Sequence, residues 1–300
     1  MKIKTEEFKG LAKNIYFDEL MKNHTTFKIG GPADVFVDAE SAEEISDIIK
    51  YCKNNGIPYM VIGNGSNMLV SDKGIRGAVI KVGAKMNGIS VDGETVTAGA
   101  GARLSAVANE ALKAELSGFE TLSGIPGMLG GAIYMNAGAY GGEMKDVLES
   151  VTYIDTDGEI RTAEKNELDL SYRHSMFEDS GFVIVSAVMR LKKGNYDDIK
   201  ASMFDYNKRR ADKQPLSMPS AGSTFKRPEG HFAGKLIQDS GLMGYTIGGA
   251  QVSDVHAGFL VNKGGATAED VMRLIEYVQK TVTEKFGVQL EPEVRLIGER

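Results

Sequence analysis

Apolar residues recur every three or four positions in three stretches of this chain. Ile45, Ile48, Ile49 and Cys52 do so behind Ser41-Ala-Glu-Glu44, a capping pair that predicts a helix start, and Asn54-Asn55-Gly56-Ile57-Pro58 predicts its stop. Leu104, Val107, Ala108, Ala111 and Leu112 mark a second helix. Val271, Leu274, Ile275, Val278 and Val282 mark a third, opened by Thr267-Ala-Glu-Asp270 and closed by Gly287. Shorter β-branched runs predict strands at 59–62, 78–82, 94–98, 151–153 and 182–191, with a turn at Asp157-Gly158 between Ile154 and Ile160. The closing run, 288–297, predicts a last strand. There Val288, Leu290, Val294 and Leu296 alternate and put Glu291, Glu293 and Arg295 on the opposite face.

Glycine changes this picture. The chain has 36 glycines against 7 prolines, and they cluster. A cluster of glycine means that the backbone turns tightly or comes close to something. The first cluster, Gly63-Asn64-Gly65-Ser66-Asn67, follows a predicted strand. It is not a dinucleotide fingerprint, because Met68 stands where the third glycine belongs, and there is no Walker loop. Its free N–H groups suit a pyrophosphate, and a tight turn is the alternative. The second cluster runs from Ser123 to Gly142 without a charged residue, with Ile125, Met128, Leu129, Ile133 and Met135 interleaved. Close contact with a large, flat, partly apolar ligand explains it better than a neutral linker does.

The remaining composition narrows the class. In 300 residues, 42% hydrophobic and 25% charged, an ordinary globular core is expected. A formal charge of −6 argues against a general nucleic-acid surface. The single cysteine, Cys52, excludes an internal disulfide and suits a reducing cytosol. No run approaches the roughly 18–20 apolar residues of a membrane span, and Met1-Lys2-Ile3-Lys4-Thr5-Glu6-Glu7 is not read as a signal peptide, so a cytoplasmic protein without membrane insertion is expected. His24, His174, His231 and His256 are scattered without ligand spacing, and no metal site is expected. Lys208-Arg-Arg-Ala-Asp-Lys213 is a basic patch in an acidic chain, open to two readings: a solvated helix face, or a pocket for the phosphates of a ligand.

Several segments, taken in order, resemble the UDP-N-acetylenolpyruvoylglucosamine reductase family. They are Gly63-Asn-Gly-Ser-Asn-Met-Leu69, Gly124-Ile-Pro-Gly-Met-Leu-Gly-Gly-Ala132, Tyr134-Met-Asn-Ala-Gly138, Tyr172-Arg-His-Ser175, Ala221-Gly-Ser-Thr-Phe-Lys226, Ala257-Gly-Phe-Leu-Val-Asn262 and Leu290-Glu-Pro-Glu-Val-Arg295. The resemblance runs from about residue 24 to the C-terminus. It implies an α+β protein: an FAD-binding region of the vanillyl-alcohol-oxidase (PCMH) type over 1–193, in subdomains of about 1–85 and 86–193, then a C-terminal α+β substrate-binding domain over 194–300. The polar stretch 192–198 is the expected boundary. It further implies non-covalent FAD, with NADPH as co-substrate, held by Gly63, Asn64, Gly65, Ser66, Asn67, Ser123, Gly124, Gly127, Gly130, Gly131, Asn136 and Gly138.

The implied reaction is NADPH-dependent reduction of UDP-N-acetylglucosamine enolpyruvate to UDP-N-acetylmuramate, a step in peptidoglycan precursor synthesis. An FAD oxidase of the same fold is the alternative. The matching catalytic positions are Arg173, Ser223 and Glu293, and the substrate positions are Tyr172, Lys213, Arg227 and Arg295. Arg173 suits charge on the enolpyruvyl carboxylate. Ser223 matches the proton donor, and Glu293 is expected to act as a protonated hydrogen-bond donor. The interval from Arg173 to Ser223 is too short for the lid tyrosine of longer members, so the chain resembles the short-form (type II) members and no residue is assigned to that lid. A monomer is expected.

Overall fold

The computed structural model describes Phe8 and residues 10–299; the reading of Met1–Glu7 lies outside the described residues. The chain forms two units that interleave along the sequence. The first takes the described residues through Phe17, Val35–Gly63 and Gly77–Arg210; the second takes Asp18–Asp34, Asn64–Arg76 and the described residues from Ala211 onward. This division differs from the expected break after residue 193. The polar stretch there leads into a long helix, and residues through Arg210 belong to the first unit.

In the first unit, helix α1 (Ala42–Asn54) starts where Ser41 Oγ accepts the Glu44 N–H at 3.2 Å, and it buries Ile45, Ile48, Ile49 and Cys52. The capping is one residue off the expected reciprocal pair, since Glu44 Oε2 accepts from the Glu40 N–H at 2.7 Å. Strands β1 (Ile15–Leu20), β2 (Pro32–Ala39), β3 (Tyr59–Ile62) and β4 (Ile75–Val82) make a sheet ordered β1-β2-β4-β3, and the unit boundary falls inside three of them. Strands β3 and β4 are parallel, which requires a crossover connection. A second sheet uses β5 (Ile89–Asp92), β6 (Thr95–Gly99), β7 (Leu148–Ile154), β8 (Ile160–Glu164) and β9 (Val183–Arg190) in the order β8-β7-β9-β6-β5, all antiparallel. Helix α2 (Leu104–Lys113) buries Leu104, Val107, Ala108 and Ala111, as its period predicts. The glycine cluster is not one loop: it folds into a six-residue helix α3 (Leu129–Tyr134), whose Leu129, Ala132 and Ile133 join the core. Helix α4 (Tyr196–Lys213) begins within the stretch expected to be the domain boundary.

The second unit carries β10 (Ser220–Ser223), β11 (Thr246–Ile247), β12 (Ala250–Val252) and β13 (Phe259–Asn262), ordered β10-β13-β12-β11 and antiparallel. Helices α5 (Ala233–Asp239) and α6 (Ala268–Phe286) pack with them, and Val271, Leu274, Ile275, Val278 and Val282 of α6 are buried. The Thr267–Asp270 capping box forms as expected, and Gly287 ends the helix at φ +69°. The last strand is shorter than expected. Arg295–Ile297 forms a strand, paired in parallel with Met68–Val70. Pro292, which lacks an N–H for a ladder, stands in the middle of the predicted run. The burial pattern survives that interruption, since Leu290 and Val294 are buried while Glu291 is exposed.

Candidate active site

Ser223 and Glu293 are seventy residues apart in sequence, and one residue joins them. Ser223 ends β10 opposite Phe259 of β13. The next residue, buried Thr224, donates its N–H to the Gly258 carbonyl at 2.8 Å. The Thr224 carbonyl accepts the Glu293 N–H, also at 2.8 Å, and Phe225 bridges Pro292. The first glycine cluster reaches the same place. Asn67 Nδ2 donates to the Glu293 carbonyl at 3.1 Å, and the Asn67 carbonyl accepts the Arg295 N–H at 3.1 Å. Ser223 is exposed while Glu293, Arg295, Ser66 and Asn67 are half-buried, so a ligand can reach the group. Gly65 has a packing reason of its own: at φ +60° its α-carbon faces the His24 carbonyl, where a side chain does not fit, and its carbonyl takes the Thr26 N–H at 3.2 Å. Exposed Asn64 precedes it.

The first unit builds a second group around Arg173. This residue adopts φ +56° in a tight turn closed by reciprocal N–H to carbonyl bonds between Ser171 and His174, each 3.2 Å. Its guanidinium lies over the ring of exposed Tyr172, 4.9 Å from the centroid. The turn is fastened from below. Asn136 Nδ2 donates to the Ser171 carbonyl at 2.8 Å and to Glu143 Oε2 at 3.1 Å, and its Oδ1 accepts the Lys145 N–H at 2.9 Å. Ser175 Oγ donates to the Tyr134 carbonyl at 2.6 Å. Asn136 is fully buried, and its amide holds the Arg173 turn. The His174 imidazole pairs with Glu178 at 2.8 Å and Asp169 at 3.1 Å, and those carboxylates, Glu178 first, hold its pKa above the ordinary value.

The glycines of the second cluster divide in the same way. A side chain on Gly124 collides with Asn207 and comes within 3.2 Å of Arg210 Nε; one on Gly130 meets the Ala100 methyl at 3.0 Å; one on Gly138 meets the Gly142 carbonyl at 2.6 Å. Gly127 gives its carbonyl to the Leu104 N–H, and buried Ser123 donates to the Glu120 carbonyl at 2.7 Å. Gly131, like Gly141, has no neighbour among the described residues within 4 Å of the missing side chain. Gly63 has only Met128 nearby, at 3.6 Å.

Arg210 is the residue that sequence reasoning left inside an undivided basic patch. Unlike Lys208, Arg209 and Lys213, it is buried, at 7% exposure, and its Nε has no hydrogen-bond partner among the described residues. Its guanidinium faces the Tyr140 ring at 5.8 Å, Tyr140 stacks on Tyr206, and burial lowers its pKa. A buried cation without a carboxylate is costly unless an anion completes it. The helical period distinguishes it, because Ile199, Met203 and Arg210 share the inner face of α4. Arg227 is tied up locally, with Nε donating to the His231 carbonyl at 3.3 Å and its guanidinium 4.0 Å over Phe232. Cys52 is core, and burial pushes its thiol up to about 11. No three metal-ligating side chains cluster among the described residues, and no described helix is long and apolar enough to cross a membrane.

Residues 214–297 match the C-terminal domain of UDP-N-acetylenolpyruvoylglucosamine reductase, and residues 33–164 match the FAD binding domain. The reductase of that name from Caldanaerobacter subterraneus subsp. tengcongensis is 53% identical over 286 residues, covering 95% of this chain and 94% of that one. This chain belongs to the UDP-N-acetylenolpyruvoylglucosamine reductase family. The reductase of Clostridium botulinum strain Hall is 54% identical over 286 residues, 95% of this chain and 93% of its own. The crystal structure of the reductase from Thermus caldophilus superposes with a TM-score of 0.79 at 36% identity, covering 93% of this chain and 97% of that one. The expected α+β fold with an FAD-binding domain and the family's C-terminal domain is therefore borne out, and so is the expectation of an FAD-dependent oxidoreductase. The site's own chemistry fits that cofactor. The buried Arg210 Nε, without a partner among the described residues, is a group that an anionic part of such a cofactor would satisfy.

Proposed function

We propose that this protein reduces the enolpyruvyl group of UDP-N-acetylglucosamine enolpyruvate to give UDP-N-acetylmuramate, with NADPH as electron source, in the bacterial cytoplasm. The observation that supports this reading is the Thr224 junction, which ties the backbone of Glu293 to the residue that follows Ser223. Bound FAD supplies the two-electron chemistry between NADPH and the enolpyruvyl double bond. The positions proposed to hold it are Gly63, Asn64, Gly65, Ser66, Asn67, Ser123, Gly124, Gly127, Gly130, Gly131, Asn136 and Gly138.

The chain's residues handle charge and the proton. Reduction delivers a hydride, that is two electrons and one proton, to the terminal carbon, leaving negative charge on the carbon that bears the carboxylate. Arg173, pre-set by its turn, stabilises the enol-like state through a fork of N–H donors. Glu293 takes part as a protonated donor. The Ser223 hydroxyl gives its proton to the carboxylate-bearing carbon, which completes the saturated product. Tyr172, Lys213, Arg227 and Arg295 hold the nucleotide sugar.

The test separates the half-reactions. Purified protein is expected to be yellow, and acid precipitation is expected to release the flavin. In stopped-flow absorbance, Ser223→Ala should leave flavin reduction by NADPH unchanged while slowing reoxidation by the enolpyruvyl sugar about 10²- to 10⁴-fold. A colourless protein that takes up no FAD, or equal slowing of both half-reactions, refutes the assignment.

A further inference from the structure

The strand opposite Ser223 is preceded by a turn, residues 253–258, that is closed by side chains. Ser253 Oγ accepts the N–H groups of Val255 and His256 at 3.1 and 3.3 Å. His256 Nδ1 then accepts the Gly258 N–H at 3.0 Å. Acceptance at Nδ1 leaves the ring proton on Nε2 and the imidazole neutral. The ring is wedged. It meets Phe259 edge to face with centroids 5.1 Å apart, and its Cε1 stands where a side chain on Gly234 or Gly258 would come within 3.1 or 3.0 Å. Burial lowers the pKa of the ring, in keeping with its neutral role.

From this ring a string of hydrogen bonds runs through Thr224, the residue after Ser223, to the backbone of Glu293. His256 Nδ1 holds the Gly258 N–H; the Gly258 carbonyl holds the Thr224 N–H; the Thr224 carbonyl holds the Glu293 N–H. Thr224 Oγ1 adds a further tie by accepting the Leu260 N–H at 3.1 Å. Resting on the reading of Ser223 as proton donor, we infer that His256 is a positioning residue for proton delivery: it fixes the Gly258 peptide from which Ser223 and Glu293 take their relative placement. It touches neither reacting atom. Its effect is on distance, and a misplacement of about 1 Å at a reacting group can cost on the order of 10²-fold in rate.

Two variants of the full-length, FAD-loaded enzyme test this. His256→Asn retains an acceptor, since an asparagine Oδ1 reaches the N–H two residues on. His256→Leu fills similar space and offers none. In each, the flavin is reduced with dithionite and its reoxidation by the enolpyruvyl sugar is followed. Amide hydrogen exchange is measured at Gly258, Thr224 and Glu293. His256→Leu should reoxidise about 10- to 100-fold more slowly at unchanged FAD content, with faster exchange at all three amides. His256→Asn should recover most of the rate and the exchange protection. Wild-type rate in His256→Leu, or an Asn variant as slow as the Leu variant, overturns the inference. If His256→Leu does not fold, His256→Ala takes its place in the comparison with Asn, judged the same way. Ser223→Ala run in parallel separates the two ideas. Unimpaired reoxidation in Ser223→Ala sinks the proton-donor reading alone, and the exchange data then decide whether His256 holds the Thr224 junction.

Discussion

Arg173 stands on a left-handed backbone, and the residues around it explain why it can. A non-glycine residue at φ +56° persists only where its surroundings over-determine it, and here the Ser171–His174 bonds, the Asn136 amide and the His174 ion pairs all act on a four-residue turn. His174 makes this arrangement pH-dependent. Its pKa is raised by Glu178 and Asp169, so the stabilising pairing is fully present below the unfolded value of about 6.5 and is lost as pH rises through the raised folded value. The ring should therefore titrate above 6.5 by NMR, and amide protection across the turn should fall over that alkaline interval. His174→Gln should flatten the dependence. A ring that titrates at or below 6.5 would exclude the mechanism.

Among the elements, α6 shows how two distant segments are joined at a helix end. Its own Thr267 cap occupies the Asp270 N–H, and Asp72, nearly two hundred residues earlier, accepts the Ala268 and Glu269 N–H groups at 2.9 and 3.1 Å. A carboxylate at a helix N-terminus also meets the positive end of the helix dipole. Asp72→Ala should lower stability by about 1 kcal/mol, read from the denaturant midpoint, with Asp72→Asn intermediate. An unchanged midpoint would mean that water replaces the carboxylate at no cost.

At the scale of the whole molecule, the chain does not divide at one point. The C-terminal unit takes its core residues Phe27, Ile29 and Leu69, the strand partner of Arg295–Ile297 and the second cap of α6 from segments that precede residue 77. A fragment of residues 194–300 should consequently lack a cooperative thermal transition and amide protection in α6. The full-length protein should show both. A fragment with dispersed amide resonances and a sharp melt would refute the dependence on the earlier segments.

Local repetition made part of this legible from sequence. The apolar periods of α1, α2 and α6, and the Ser41, Thr267 and Gly287 punctuation, depend on neighbours within a few residues, so they read directly off the chain. The motifs around Arg173, Ser223 and Glu293 were legible as a family resemblance, but their geometry was not. Whether Arg210 or Lys213 becomes the buried cation depends on which face of α4 the core covers. That Asn136 fastens a turn, that Gly65 yields to the His24 carbonyl, and that Thr224 joins Ser223 to Glu293 are decided by hydrogen bonds and close contacts between distant segments. Side-chain period encodes which face is apolar; the partner of a buried polar group is chosen only when the chain has folded back upon itself.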